Sequence, residues 1–159
     1  MLLVGTGLTM VDAALTLSSS SLSGSDPAGR PDRVLYGISR SARLPRIHAR
    51  GPKLAAIPDI SDWGSTLPEL RERVAQHFAE VTRTAGDWRP AMDGLRVQVS
   101  ALWSRLSEED RATFVAEDSG RWNVLRHRMP ASSATRLHDL RAAGRLRLER
   151  ATVTAVSPL

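Results

Sequence analysis

The chain contains no cysteine. That excludes a disulfide framework, a thiolate metal site and a cysteine nucleophile. Lysine is nearly missing too: Lys53 is the only one, so arginine supplies almost all the positive charge. No apolar run approaches the roughly 20 residues of a membrane span. The N-terminal stretch has no basic region ahead of it, and Asp12 interrupts its apolar residues, so it does not read as a signal peptide. These absences predict a cytoplasmic protein without a membrane anchor. Acidic residues are missing from one long stretch, with neither Asp nor Glu between Arg33 and Ile57. The net charge of +5 permits an anionic ligand without demanding one. At 159 residues the chain fits one domain and can bury a real core.

What is present begins at the N-terminus. Met1 to Val4 is a short apolar run, Gly5-Thr6-Gly7 follows at once, and Leu8 to Leu17 reads as a helix. Strand, glycine turn and helix is the order of a dinucleotide-binding βαβ unit. Glycines there let the chain turn sharply and let a pyrophosphate approach the backbone. The helix N-terminus then offers free N–H groups and a partial positive charge. The third position of the G-x-G-x-x-G pattern holds Met10. Only four residues precede Gly5, fewer than a central parallel strand usually has, as if the chain began inside a larger domain.

Ser18 to Arg33 is rich in Ser, Gly and Pro, and predicts an exposed mobile loop. Val34 to Ser39 reads as the second strand. Ser39 to Arg50 carries Arg40, Arg43, Arg46, His48 and Arg50 and forms a basic loop. In a dinucleotide unit the second strand ends at the adenosine ribose, where an acid selects the 2′-hydroxyl and an arginine accepts a 2′-phosphate. Ser39 and Arg40 occupy that position here, and arginine suits phosphate through its two-pronged guanidinium.

From Thr66 the apolar period becomes helical. Thr66 and Glu69 form a capping box, and Gly86 ends a helix with a Leu67, Leu70, Val74, Phe78 and Val81 stripe. Asp87 and Pro90 open another, with Met92, Leu95, Val99, Leu102, Trp103 and Leu106 as its apolar face. Ser107 and Asp110 cap a third, to about Glu117. Trp122 to Arg128 reads as a short helix, and Ser132 or Ser133 starts one closed by Gly144. Leu146 to Glu149 and Thr152 to Val156 alternate with period two and predict a β-ribbon. The expected fold is α/β: a partial Rossmann-like βαβ unit with its basic loop over 1–64, a helical region over 65–144, and a C-terminal β-ribbon over 145–159.

His48, His77 and His138 lack metal-ligand spacing, and no metal site is expected. Trp122 with Arg126-His127-Arg128 could serve an anionic cofactor or a proton transfer, but the preferred reading is a helix with Trp122 and Leu125 in the core and its basic groups outside. Asp12 has no assigned role.

Several stretches together resemble bacterial FAD/NAD(P)-binding flavoproteins distantly related to flavin monooxygenases. They are Val4 to Asp12, Ile38-Ser39-Arg40 with Leu44 to His48, Trp88-Arg89-Pro90 with Leu102-Trp103, and Trp122 with Arg126-His127-Arg128. The resemblance implies the second, NAD(P)-binding half of such an enzyme. Gly5, Thr6, Gly7 and Leu8 would meet the pyrophosphate of NADP, and Ser39 and Arg40 its adenosine ribose. The FAD loop has no counterpart here, so FAD would belong to a full-length parent or a separate segment. A basic nucleic-acid-binding protein, a methyltransferase-like domain and an inactive remnant are the rival readings. Scattered arginines with interleaved acids count against the first, and Ser39-Arg40 in place of an acid counts against the second.

Overall fold

The computed structural model describes residues 1–20, 34–49, 51 and 53–156. It is mixed α/β, with six helices and small parallel sheets among the described residues. The chain divides into two compact units, one made of Met1–His48 with His127–Leu159, the other of Ala49–Arg126. The second unit is therefore an insertion in the first along the sequence. This differs from the boundaries expected at 64 and 144 and from the single-domain reading of the chain length.

The first unit holds β1 (Leu2–Val4), α1 (Leu8–Ser20), β2 (Leu35–Ser39), β3 (Arg46–Ile47), β4 (Arg128–Met129), α6 (Ala131–Ala142) and β5 (Leu146–Arg150). Its main sheet has the order β1-β2-β5, all parallel, with Leu2 opposite Tyr36 and Leu35 opposite Leu146. The adjacency of β1 and β2 with α1 between them follows the sequence order. The expected β-ribbon is not formed. Leu146–Arg150 instead joins β2 as a third parallel strand, and residues 151–156 carry no secondary structure. Part of the basic loop also pairs, as β3 with β4 in a second parallel sheet.

Strand alternation sends Leu3, Leu35, Leu146 and Leu148 to one face of the main sheet. There they pack with Met10, Val11, Ala14 and Leu15 of α1 and Leu137 and Leu140 of α6. Leu2 and Val4 fall on the opposite face and are 57% and 70% exposed. Ser18–Ser20 extend α1 rather than opening a loop, with the Ser18 hydroxyl donating to the Ala14 carbonyl at 2.6 Å. The rest of the loop expected at 18–33 lies outside the described residues.

The second unit contains α2 (Leu67–Ala85), α3 (Arg89–Arg105), α4 (Glu108–Glu117) and α5 (Ser119–Arg126). The caps explain the helix ends. The Glu69 carboxylate accepts from the Thr66 hydroxyl at 2.7 Å and from the Thr66 N–H at 3.0 Å, which holds it below its ordinary pKa. Gly86 closes α2 in the left-handed region at φ 64°. The Ser107 hydroxyl accepts from the Asp110 N–H at 3.1 Å, and the Asp110 carboxylate accepts from the first N–H of α2. Leu67, Leu70, Leu95, Leu102 and Leu106 form the core with Ile60 and Trp63. Val99 and Trp103, expected inside, are each 37% exposed.

Candidate functional site

All three strands of the main sheet end on one side, and three segments leave from there: Gly5-Thr6-Gly7, the turn from Arg40 to Arg43, and the chain after Arg150. Crevices outside the carboxyl ends of parallel strands are where such sheets bind ligands. Gly5 has φ 98°, a conformation that a side chain would strain, and its N–H donates to the Ile38 carbonyl at 2.7 Å. Ideal Cβ atoms at Gly5 and Gly7 meet nothing within 4 Å, so open space faces the loop. The first α1 hydrogen bond runs from the Val11 N–H to the Gly7 carbonyl at 3.1 Å. The N–H groups of Leu8, Thr9 and Met10 precede it and are not used by the helix. Leu8 packs its side chain against the core, so only its backbone faces the loop.

The two hydroxyls at this edge bond inward. Thr6 is buried, and its hydroxyl donates to the Arg43 carbonyl at 2.7 Å. At the 2.8 Å contact between Thr6 Oγ1 and Ser39 Oγ, Ser39 must therefore be the donor. The Ala42 N–H also donates to Ser39 Oγ, at 2.9 Å. These bonds hold Ala42 at φ 52°, uncommon for a residue with a side chain. The Ser39 proton is thus committed to Thr6, and Ser39 positions the arginine turn.

Arg40, Arg43 and Arg46 are exposed. The structure adds a cation that the sequence reading passed over, because Arg150 donates from Nε to the Arg40 carbonyl at 3.3 Å. Among the described residues none of these four arginines forms an ion pair, whereas Arg71, Arg73, Arg83 and Arg89 of the second unit each meet a carboxylate. The edge can therefore take an anion.

The remaining candidates fall elsewhere. Trp122 packs edge-on to Phe114 in the second unit, while His127 and Arg128 belong to the first, and Arg128 is buried rather than outside. Asp12 is exposed on α1. His77 has its Nε2 buried without a hydrogen-bond partner, and burial lowers its pKa against the pull of the Ala56 and Ala91 backbone. Among the described residues no cluster of His, Asp and Glu could hold a metal ion, and no helix is long and apolar enough to cross a membrane. Comparison of the chain with family models, with curated proteins and with solved structures gives no match in any of the three.

Proposed function

We propose that this chain is the NADPH-binding part of a flavin-dependent oxidoreductase, built on a partial Rossmann-like βαβ unit. The observation that carries the reading is the combination at one sheet edge: an open glycine loop, a helix N-terminus, and arginines without carboxylate partners. The loop fits a pyrophosphate, since no side chain fills the space before Gly5 and Gly7. The backbones of Gly5, Thr6, Gly7 and Leu8 hold it, with the α1 dipole favouring its charge. Arg40 holds the ribose 2′-phosphate. A bound pyridine nucleotide supplies the hydride chemistry, while the protein supplies orientation and electrostatics. The compartment is the cytoplasm.

FAD is assigned to a segment outside this sequence or to a separate chain. Parallel sheets ordinarily have both faces covered, and here Leu2 and Val4 leave one face of β1 bare, at the sheet's edge. A flavin-binding segment seated there would cover both. The paired arginines of the second unit argue against a continuous cationic face for nucleic acid.

Gly7→Leu tests the loop. Open space at Gly7 means that the fold should accept the side chain, with a stability change below about 1 kcal/mol. The same side chain would stand where the pyrophosphate lies, and NADPH binding measured by calorimetry should fall more than about tenfold. Unchanged binding would remove the loop from the site.

A further inference from the structure

We propose that Arg150 is a second guanidinium that reads the 2′-phosphate, beside Arg40. The inference rests on the pyridine-nucleotide reading above and extends it to a residue from a different strand, more than a hundred positions away in sequence.

The placement comes from the sheet. Arg150 ends β5 in register with Ser39, and the Ala151 N–H donates to the Ser39 carbonyl at 3.0 Å. Arg150 therefore leaves the sheet where Arg40 does. Its Nε donates to the Arg40 carbonyl at 3.3 Å. That bond anchors the guanidinium at its inner nitrogen and leaves the two terminal nitrogens without a partner among the described residues. These terminal nitrogens make the two parallel bonds by which arginine grips a phosphate.

Charge supports the same ligand. Arg40, Arg43 and Arg150 are exposed, and no carboxylate among the described residues neutralises them. Glu149 is adjacent in sequence, but strand alternation turns it to the other face of β5. Cations gathered without partners repel one another, and a phosphomonoester with up to two negative charges relieves that repulsion. A ribose hydroxyl does not. The bonds of Thr6 and Ser39 and the left-handed Ala42 fix the backbone of the turn, so it needs little ordering when the phosphate arrives. Backbone held in a sparsely populated conformation clusters at binding sites.

The test titrates the full chain, as wild type, Arg150→Ala and Arg150→Lys, with NADPH and with NADH. Circular dichroism and the thermal midpoint check that each variant is folded. For Arg150→Ala the expected loss is about tenfold or more in NADPH affinity, with NADH within about twofold. Arg150→Lys should fall between, because it keeps the charge and loses the fork. If wild type prefers NADPH and Arg150→Ala leaves that preference intact, or lowers both affinities equally, the role of Arg150 is overturned while the nucleotide reading stands. If wild type binds neither nucleotide, or binds a single-stranded oligonucleotide that NADPH does not displace, the nucleotide reading itself is overturned.

Discussion

Met10 of α1 packs its thioether over Gly37 of β2. A Cβ added at Gly37 would lie 3.6 Å from Met10 Sδ and 3.7 Å from its Cε. In the G-x-G-x-x-G pattern a third glycine lets the helix approach the first strand. Here the helix carries methionine, and the neighbouring strand carries the glycine. The small residue has moved across the interface, and close packing is kept.

That exchange predicts the behaviour of Gly37. Its added Cβ also falls 2.9 Å from Leu148 Cδ2, the end of a flexible side chain. Gly37→Ala should thus cost little, while Gly37→Val overpacks the sheet and should destabilise by about 1–3 kcal/mol. Chemical denaturation checks both. Equal stability of wild type and Gly37→Val would mean that α1 does not lie closely on β2.

Gly94 makes a stronger demand. It is buried in α3, where an added Cβ would overlap the carbonyl of Ala56. The chain there is tied to the helix, since the Ala56 N–H donates to the Pro90 carbonyl at 2.9 Å and the Gln98 side chain to the Pro58 carbonyl at 3.3 Å. Gly94→Ala sets backbone against backbone and should cost about 3 kcal/mol or more, despite alanine's better helix propensity. Thermal unfolding of this variant should show a clear drop. A stability gain would mean that the segment before Ile57 does not cross α3.

His77 should make stability depend on pH. Burial lowers its folded pKa below the ordinary 6.5, so the folded chain keeps it neutral where the unfolded chain binds a proton. Stability is then full above about pH 6.5 and declines as the pH falls below it. The His77 ring lies edge-on to Trp63, with centroids 6.4 Å apart, and phenylalanine can keep that contact without titrating. Urea unfolding at about pH 7.5 and about pH 5.5 should show a smaller loss for His77→Phe than for wild type. Equal losses would place His77 in water.

Local signals made the βαβ order and the helix caps legible. Gly5 and Gly7 behind an apolar run, Thr66 with Glu69, and Ser107 with Asp110 each act within a few residues, and each is where the sequence put it. Partner choice was not legible. Period-two alternation from Leu146 says that one face is covered, and it reads alike for a ribbon and for a parallel strand. Only the fold brings β5 to β2, and with it Arg150 to Arg40. The unit boundary near Arg126 was hidden for a similar reason, since no glycine, proline or change in composition marks it before Pro130. The inward bonds of the Thr6 and Ser39 hydroxyls are not legible either, because composition cannot say where a proton points.

On the proposed function, the arginines at the carboxyl end of β2 select a phosphorylated pyridine nucleotide. Titration of wild type and Arg40→Ala with NADPH and NADH tests it most directly. A charge-assisted bond from Arg40 to a 2′-phosphate would contribute about 1.5–3 kcal/mol. Wild type should therefore prefer NADPH, and Arg40→Ala should lose roughly 10- to 100-fold in NADPH affinity with NADH almost unchanged. Equal losses for both nucleotides, or no loss for either, would contradict the account.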